Sequence, residues 1–337
     1  MKRYIDKIKN KKNLTSKEIS EVMRSIMSGR TPKDDIVMFL AALRDKGPTV
    51  DEITAAAKIM RRFFIPVKTK HKVILDTCGT GGDKRGTFNI STIAALVVAG
   101  AGVAVAKHGN RSVSSRCGSA DILEALGINL DMDVKHLSQC LDKVGIAFLF
   151  AQKLHPAMKH AAAARKELGT ETIFNLLGPL TNPAKATHQV MGVYNRDLVE
   201  PMARVLKNLG LKRAMVVHGS DGLDEVTTTE VTFVSEYDGK KIVSYSIYPK
   251  ECGIKVADPE TLQGGDLNTN VQIARDVLSG KKGPQRDIVV FNAGCALYVA
   301  GKAKTISKGI ELACDSLDSG KAQKKLNQLI EFTCHVR

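Results

Sequence analysis

The sequence predicts an α/β protein in which a small helical bundle precedes a large domain with a mostly parallel central sheet covered by helices. Three observations support this prediction. The length of 337 residues suggests about two domains. Residues 1–65 carry helix-start signals and apolar residues at helical spacing but contain no strand candidate. From residue 72 onward, short apolar runs alternate with helical segments, which is the pattern of a parallel sheet with helices on its faces.

The N-terminal bundle is predicted to contain three helices. Residues 15–18 (Thr-Ser-Lys-Glu) have the form of a helix start, and this helix is expected to run to Met27. A second helix opens at Pro32 and carries apolar residues at helical spacing. Residues 49–52 (Thr-Val-Asp-Glu) fit a capping box at the start of a third helix, which is expected to run to about Phe63.

Seven short apolar runs are predicted to be strands. They are residues 73–76, 103–106, 147–150, 214–217, 231–235, 242–247 and 287–292. The Asp-Gly pair at residues 238–239 is a hairpin signal, so the two runs around it form an antiparallel addition to the sheet. Helices are expected to start at about Ser91 and Ser119. A further Ala-rich helix is expected from Pro156 to Leu168.

Residues 169–183 break the alternation of strand and helix. The segment holds two prolines around several leucines and lacks strand spacing, so we expect it to return to the helical bundle. The predicted domains are therefore discontinuous. Residues 1–70 and 170–185 form the helical domain, and residues 71–169 and 186–337 form the α/β domain.

Composition and charge narrow the range of functions. The formal net charge is +15, but aromatic residues make up only 5% and the lysines are dispersed. We therefore favour a solvated basic surface over a nucleic-acid-binding one. A site for a multiply phosphorylated anion is the other interpretation of the charge. The longest apolar stretch, residues 93–106, is too short and too rich in Ala and Gly to cross a membrane.

The N-terminus and the cysteines predict a cytoplasmic protein. The first twelve residues hold six basic residues with no apolar core after them, so a signal peptide is not expected. Seven cysteines are scattered without a C-x-x-C spacing. This distribution argues against a structural zinc site and is typical of reduced cytosolic thiols.

A glycine-rich run follows the first predicted strand. Residues 76–83 read Asp-Thr-Cys-Gly-Thr-Gly-Gly-Asp, and Gly79, Gly81 and Gly82 would let the backbone approach a ligand and form an anion nest. The lysine of a Walker loop is absent, and a plain tight turn is the alternative. Residues 87–92 add hydroxyls at the start of the next helix, where they suit either an anion or a simple N-cap.

A second donor-rich run follows the next predicted strand. Residues 107–115 contain Lys, Asn, Arg and three Ser around a glycine, a combination that suits phosphate oxygens. A solvated polar loop is the alternative. Because ligands gather at the carboxyl ends of parallel strands, two such loops after consecutive strands favour a phosphate site.

Two further features carry charge. Asp224 and Glu225 are adjacent carboxylates in a loop after a predicted strand, and taken alone they are most simply a solvated acidic loop. Arg165 lies in the last turn of the Ala-rich helix, where a cation favours the helix C-terminus without any ligand. His155 and His160 are five residues apart and would face different sides of a helix, so a metal pair is not expected.

A series of short motifs, taken in order, resembles those of the anthranilate phosphoribosyltransferases. They are residues 76–83, 89–92, 107–115, 150–158, 175–183, 221–225, 264–266 and 292–294, which together span essentially the whole chain. The resemblance implies a fold of the nucleoside phosphorylase/phosphoribosyltransferase type, a homodimer, and a site in the cleft between the two domains. It implies transfer of the phosphoribosyl group of phosphoribosyl pyrophosphate (PRPP) to the amine of anthranilate. The products would be N-(5-phosphoribosyl)anthranilate and pyrophosphate, in the second step of tryptophan biosynthesis.

The same resemblance assigns site residues. Those for PRPP are Gly79, Gly82, Asp83, Thr87, Asn89, Ile90, Ser91, Thr92, Lys107, His108, Gly109, Asn110, Arg111, Ser112, Val113, Ser114, Ser115 and Ser119. Those for anthranilate are Gly79, His108, Asn110, His155, Arg165 and Pro179, with Arg165 as the partner of the carboxylate. No residue is assigned as a general base. His155 and Arg165 would be ~15 Å apart on a straight helix, so His155 is expected along the access path to the pocket.

The resemblance also implies two Mg²⁺ ions per subunit, held by Ser91, Asp224 and Glu225. The loops assigned to PRPP favour a metal site at Asp224 and Glu225 over a solvated acidic loop, because PRPP binds with Mg²⁺. The chain departs from the family at residues 269–271, which read Thr-Asn-Val where Glu-Asn-Ala is usual. This difference is expected to affect local packing and not the chemistry.

Two alternative functions remain open from the sequence. A pyrimidine nucleoside phosphorylase has a related fold and similar phosphate loops but should not need the Asp224-Glu225 pair. A nucleic-acid-binding relative of the family would suit the net charge of +15, but it would be expected to lose the anthranilate-side residues, which this chain keeps. We therefore expect neither nucleic acid nor a membrane as a partner.

Overall fold

Fifteen helices and one seven-stranded sheet make up the computed structural model, which describes residues 1–111 and 117–335. The helices are α1 Lys2–Lys9, α2 Ser16–Met27, α3 Lys33–Lys46, α4 Val50–Met60, α5 Ile90–Gly100, α6 Ser119–Ala125, α7 Val134–Val144, α8 Ala151–Leu154, α9 Lys159–Leu168, α10 Ile173–Leu177, α11 Val199–Asn208, α12 Leu267–Leu278, α13 Pro284–Val299, α14 Ile306–Asp318 and α15 Lys321–Cys334. The strands are β1 Ile74–Gly79, β2 Ala104–Gly109, β3 Ile146–Phe150, β4 His188–Gly192, β5 Arg213–Gly219, β6 Thr232–Tyr237 and β7 Ile242–Ile247.

The sheet has the strand order β3-β2-β1-β4-β5-β6-β7. Strands β1 to β5 run parallel, and β6 and β7 continue the sheet antiparallel, joined at the predicted Asp-Gly turn. The fold class predicted from the sequence, a helical bundle followed by a mostly parallel α/β domain, is confirmed.

The two helix-start signals in the bundle form complete capping boxes. The Thr15 hydroxyl accepts from the Glu18 N–H and the Glu18 carboxylate accepts from the Thr15 N–H, and Thr49 and Glu52 repeat the arrangement. These side chains satisfy backbone donors that the first helical turn leaves unpaired. The third predicted helix, α4, ends at Met60, slightly before the expected end.

The sheet separates two apolar clusters. Along β5, Met215 and Val217 point into a cluster formed with α5 and α13, whereas Ala214 and Val216 point into the cluster formed by the N-terminal helices and α11. This alternation follows from the two-residue period of a strand whose two faces are both covered.

The segment after Gly169 contains α10 and packs with the N-terminal helices. Thr172 caps this helix by accepting from the Phe174 N–H, and Phe174, Leu177 and Leu180 are buried in the same cluster as α2, α3 and α4. The predicted domain boundaries stay a prediction.

One predicted strand is wrong. Residues 287–292 lie within α13, which begins after Gly283 with Pro284 at its first position. The run has an apolar centre, Ile288 to Phe291, because α13 is buried nearly all round, and periodicity alone does not separate a buried helix from a buried strand. Strand β4, which the sequence analysis did not identify, lies between β1 and β5 in the middle of the sheet.

Within the described residues, none of the helices combines the length and apolar character needed to cross a membrane.

The capping box of α4 differs from that of α2 in its burial. The Glu52 carboxylate is fully buried and accepts from the backbone N–H groups of Leu14 and Thr49, at 2.8 Å and 2.7 Å. It also accepts from the Lys46 ammonium at 2.8 Å, and the Lys46 side chain is 4% exposed. Glu52 therefore links the α1–α2 connection to the start of α4 and neutralises a buried cation.

We expect Glu52→Ala to lower the free energy of unfolding by about 3–5 kcal/mol, because it leaves the Lys46 ammonium buried without its anion. Urea denaturation followed by circular dichroism measures the loss. Glu18→Ala is the matched control: it removes the same box at α2, where the ion pair with Lys7 is partly exposed, and should cost about 1 kcal/mol. Equal losses in the two variants would contradict the role given to burial.

Candidate active site

Both donor-rich loops predicted from the sequence lie at the same edge of the sheet. The glycine-rich run ends β1 and the second loop ends β2, and these strands are parallel neighbours. The acidic loop that follows β5 reaches back to this edge, because Asp224 contacts the ends of β1 and β4. Three loops that are distant in the sequence therefore meet at one place.

The glycine-rich loop is shaped around Asp224. Gly81 and Gly82 have the positive φ values that favour glycine, +66° and +82°, and the Gly81 N–H donates to Asp224 Oδ2 at 2.8 Å. Gly79 does not have a positive φ. It is required for a different reason, since a Cβ there would lie 2.2 Å from Asp224 Oδ2.

Gly192 at the end of β4 provides the second close approach. A Cβ at this position would lie 1.5 Å from the Asp224 carbonyl oxygen. A side chain at position 192 would therefore displace the backbone of the acidic loop. The sequence analysis missed Gly192 together with β4; the signal for both was the short run Gln-Val-Met-Gly at residues 189–192.

The start of α5 faces Glu225. The Ser91 N–H in the first turn of this helix donates to Glu225 Oε1 at 3.2 Å. The Lys107 ammonium, buried at the end of β2, donates to the Thr77 carbonyl at 2.5 Å and to Ser91 Oγ at 3.4 Å. The positive end of a helix and one ammonium group therefore lie beside the Glu225 carboxylate.

The electrostatics of the acidic pair are unfavourable without a further cation. Burial raises the pKa of the Asp224 and Glu225 carboxyls, and the nearby Asp83 carboxylate raises both further. Lys107 acts in the opposite direction on the pKa of Glu225. Lys107 thus offsets the repulsion at Glu225 but not at Asp224, and a bound cation would relieve it at both.

The donor set fits Mg²⁺ bound partly by the protein. Carboxylate and hydroxyl oxygens are ligands suited to a hard cation. In residues 1–111 and 117–335, no three His, Cys, Asp or Glu side chains are grouped closely enough to hold a metal by themselves. Phosphate oxygens or waters would therefore supply the remaining ligands, as is usual for Mg²⁺.

The other predicted residues around α5 have structural contacts of their own. Thr87 forms an isolated β-bridge with Gln263, and Ile90 and Thr92 are buried in the first turn of α5. Asn89 donates to the Cys117 carbonyl at 3.1 Å, whereas its buried Oδ1 has no hydrogen-bond partner among the described residues.

In the second loop, the described residues contact one another and helix α6. Ser119 Oγ donates to the Asn110 carbonyl at 3.2 Å, and a Cβ at Gly109 would lie 2.2 Å from that hydroxyl, so these three residues are close together. Arg111 is turned toward α6, where its guanidinium pairs with Asp121 and Glu124. The predicted residues Ser112, Val113, Ser114 and Ser115 lie outside the described residues.

A buried network holds the end of β2. The Asp76 carboxylate accepts from the His108 N–H at 3.2 Å and from the Asn182 side-chain amide at 2.8 Å. The same amide group donates to the Ala106 carbonyl at 2.8 Å. Sequence analysis placed Asp76 in the glycine-rich motif and Asn182 in another motif but gave neither this positioning role.

His155 is in the interior, and its expected position along the access path to the pocket stays a prediction. Helix α8 ends at Leu154 and a short 3-10 turn separates it from α9, so the chain is not one straight helix. His155 is 5% exposed, with its Nε2 3.1 Å from the Nε2 of His108 and its ring edge-on to Phe64.

Arg165 is a partly buried cation that contacts an aromatic ring. Its guanidinium lies 5.6 Å from the centre of the Phe174 ring, and burial lowers the pKa of the side chain. Among the described residues it forms no ion pair. Pro179, predicted to lie in the same pocket, is held through its carbonyl, which accepts from the Gln189 amide at 2.7 Å.

Comparison with known proteins agrees with this geometry. A family model described as "Glycosyl transferase family, a/b domain" matches residues 71–323, and the helical bundle domain of the same family matches residues 2–64. An anthranilate phosphoribosyltransferase from Acetivibrio thermocellus is 52% identical over 99% of this chain and 96% of the relative. The chain belongs to the anthranilate phosphoribosyltransferase family.

Other members of the family support the assignment. A relative of the same name from Moorella thermoacetica is 54% identical over 98% of each chain. The crystal structure of the anthranilate phosphoribosyltransferase of Thermus thermophilus superposes with a TM-score of 0.93 at 43% identity, covering 98% of this chain and 99% of that one. The enzyme of Saccharomyces cerevisiae, solved in complex with PRPP and Mg, superposes with a TM-score of 0.91 at 27% identity, covering 99% and 98%.

We expect Gly79→Ala to disturb the acidic pair more than the fold. The added methyl group would push the Asp224 carboxylate away and break its hydrogen bond from Gly81, at a cost of about 1 kcal/mol in unfolding free energy. In contrast, the rise in melting temperature produced by PRPP with Mg²⁺ should be lost. Differential scanning calorimetry with and without the ligands measures both quantities.

Gly178→Ala is the control for this substitution. It adds the same methyl group where the nearest atom is 3.9 Å away, so the ligand-induced rise should be retained. If Gly79→Ala also kept the full rise, the close contact between residue 79 and the acidic pair would not matter for binding.

The buried histidine pair predicts loss of stability in acid. Burial lowers the pKa of His108 to about 3, with His155 and Lys107 adding to the effect, and burial lowers the pKa of His155 to about 4. The unfolded chain protonates both rings near pH 6.5. Between pH 6.5 and 4 the unfolded state therefore binds more protons, and stability falls as the pH decreases.

We expect His155→Gln to reduce this pH dependence, by on the order of 3 kcal/mol at pH 4 relative to pH 7. Urea denaturation at pH values between 4 and 7 measures the slope in each protein. His335→Gln removes an exposed histidine near the C-terminus and serves as the control. If wild type and His155→Gln showed the same slope, the buried neutral state of this ring would be refuted.

Proposed function

We propose that this protein transfers the phosphoribosyl group of PRPP to the amine of anthranilate and releases pyrophosphate, with Mg²⁺ as its cofactor. One observation carries the proposal. The Gly81 N–H donates to Asp224, the Ser91 N–H at the start of α5 donates to Glu225, and the Lys107 ammonium lies beside Ser91, so all three groups surround the half-buried Asp224-Glu225 pair. Donors for phosphate oxygens and ligands for a hard cation therefore lie within one small region, which suits a diphosphate bound together with its metal.

Ser91, Asp224 and Glu225 would hold the metal, with two ions per subunit. When bound, Mg²⁺ would neutralise the charge that grows on the departing pyrophosphate. The raised pKa values of the acidic pair support this assignment, since a site that leaves carboxylates repelling one another is suited to a cation.

The chain's own donors would stabilise the leaving group. Departure of pyrophosphate from an oxocarbenium-like centre sets the barrier, as in glycoside chemistry. Lys107 and the backbone N–H groups of the glycine-rich loop would donate to the developing charge. In the structure Lys107 donates to the Thr77 carbonyl and the Gly81 N–H donates to Asp224, so these donors would exchange partners when the diphosphate binds. The remaining predicted PRPP residues would bind and orient the ribose and its phosphate.

No general base is needed to start the reaction, because the amine of anthranilate is of the aniline type and largely unprotonated at neutral pH. The two imidazoles predicted to lie in the anthranilate pocket, those of His108 and His155, support this view. The low pKa values of His108 and His155 make both rings neutral but weak proton acceptors. We therefore assign them to the wall of the anthranilate pocket.

Arg165 would bind the carboxylate of anthranilate. Its guanidinium is partly buried against Phe174 and forms no ion pair within the described chain, so a planar carboxylate would complete its hydrogen bonding. Gly79, Asn110 and Pro179 would line the rest of this pocket, as the resemblance implies.

We also propose a cytoplasmic homodimer. None of the seven cysteines, all of which lie in the described part of the chain, forms a disulfide, and this supports a reducing compartment. Met38 on α3 is 44% exposed beside α1, and a second subunit would cover such a surface. Light scattering of the purified protein tests the oligomeric state, and a monomeric mass would contradict this proposal.

The wild-type protein should consume anthranilate fluorescence when PRPP and Mg²⁺ are present, and uridine with inorganic phosphate should give no reaction. The double variant Asp224→Ala, Glu225→Ala should lose activity at ordinary Mg²⁺ concentrations while remaining folded, because both acids lie on a loop. Steady-state rates across a Mg²⁺ titration, with circular dichroism for the fold, test this. Normal turnover by the double variant would show that the metal is bound elsewhere.

Arg165→Ala should raise the KM for anthranilate and leave that for PRPP unchanged, because a hydrogen bond to a charged group is worth about 1.5–3 kcal/mol. A rise of roughly 10- to 100-fold is expected. Arg204→Ala, which removes an exposed arginine paired with Glu200 on α11, is the control and should change neither constant. An unaltered KM for anthranilate in Arg165→Ala would exclude this residue as the carboxylate partner.

A further inference from the structure

Helix α13 carries a buried amide side chain against the acidic loop. Asn292 is 4% exposed and stands in an otherwise apolar stretch of the helix, next to Phe291 and Ala293. Sequence analysis placed Asn292 in a motif at residues 292–294 but gave it no role. Because a buried amide is costly unless its polar atoms are paired, its partners indicate what it is for.

The Asn292 side chain pairs with the backbone of Val226 in both directions. The Val226 N–H donates to Asn292 Oδ1 at 2.9 Å, and Asn292 Nδ2 donates to the Val226 carbonyl at 2.8 Å. The same amide group also donates to the Ile288 carbonyl, one turn earlier on α13, at 2.9 Å. The amide is thereby fixed to its own helix and fixes one residue of the acidic loop.

Val226 follows Glu225 directly, so this clamp acts next to the acidic pair. Asn292 and Glu225 line the same small pocket, together with Ser91 and Gly192. On the other side of the acidic pair, Gly79 and Gly192 at the ends of β1 and β4 lie directly against Asp224, which restricts the position of the loop. The acidic segment is therefore held from the sheet on one side and from α13 on the other.

We propose that Asn292 is a positioning residue, which holds the Val226 backbone so that the Glu225 carboxylate faces Ser91 and Lys107 and can bind the metal. The inference rests on the proposed function, because it concerns the Mg²⁺ that accompanies PRPP. Mg²⁺ demands near-ideal geometry, so a small shift of the loop affects metal binding strongly. Groups that orient metal ligands typically change affinity by about 10- to 100-fold when removed.

The test uses Mn²⁺ as a spectroscopic probe for Mg²⁺, since both cations favour oxygen ligands. The full-length wild type, Asn292→Ala and Asn292→Ser are titrated with Mn²⁺ in the presence of PRPP, and free Mn²⁺ is followed by electron paramagnetic resonance. Each titration is run at a temperature at which circular dichroism shows the protein to be folded. Thermal midpoints without metal are measured in parallel.

We expect Asn292→Ala to weaken Mn²⁺ binding by about 10- to 100-fold. Asn292→Ser keeps a hydroxyl that can accept from or donate to Val226, so it should weaken Mn²⁺ binding less than Asn292→Ala does. It also provides the measurement if the alanine variant does not fold. Ser316→Ala is the matched control. It removes a buried hydrogen bond from Ser316 Oγ to the Val97 carbonyl at 2.7 Å, and it should lower the thermal midpoint without changing Mn²⁺ affinity.

The outcomes separate this inference from the function on which it rests. If wild type binds Mn²⁺ with PRPP and the Asn292 variants lose only thermal stability, Asn292 is structural and the inference is overturned. If wild type shows no PRPP-dependent Mn²⁺ binding and no anthranilate turnover, the proposed function fails and the inference fails with it. A graded loss of affinity from Asn to Ser to Ala supports both.

Discussion

The candidate site depends on one packing constraint: the backbone and carboxylate of Asp224 lie directly against the ends of β1 and β4. The contact is possible because residues 79 and 192 are glycines, since a Cβ at either position would lie 2.2 Å or less from an Asp224 oxygen. The contact places the acidic loop, which follows β5, next to the glycine-rich loop, which follows β1. The positions of Glu225, of the Ser91 N–H that donates to it, and of Lys107 follow from this contact.

Placing the acidic pair there creates an electrostatic problem that its surroundings only partly solve. Burial raises the pKa of Asp224 and of Glu225, the Asp83 carboxylate raises both further, and Lys107 opposes the shift at Glu225. Arg165 carries the opposite charge: it is a partly buried cation without an anion among the described residues. The protein thus has unmatched negative charge in one place and an unmatched positive charge in another. The cation that accompanies a diphosphate would match the first, and an aromatic carboxylate would match the second.

The sequence was sufficient for the parts of the fold that are determined locally. The helix start at Thr15 and the capping box at Thr49 were predicted because their signals involve residues three positions apart, and six of the seven strands were predicted from short apolar runs next to turn signals. The two errors have different causes. The apolar residues Ile288 to Phe291 lie in a buried helix, which periodicity alone does not separate from a strand. Strand β4 has the sequence His-Gln-Val-Met-Gly, which is a weak strand signal although all five residues are buried in the middle of the sheet.

For the site, the sequence by itself determined which residue types are available and their order along the chain: two donor-rich loops after consecutive strands, an acidic pair, and a helix-terminal arginine. Only the tertiary structure decided which of them meet. It turned Arg111 toward α6, enclosed His155 beside His108, and set Gly192 and Asn292 around the acidic loop. The physical reason is that these contacts join residues from different strands and helices, often more than 60 positions apart. The strand order that brings them together is fixed by packing across the whole sheet and not by any local pattern.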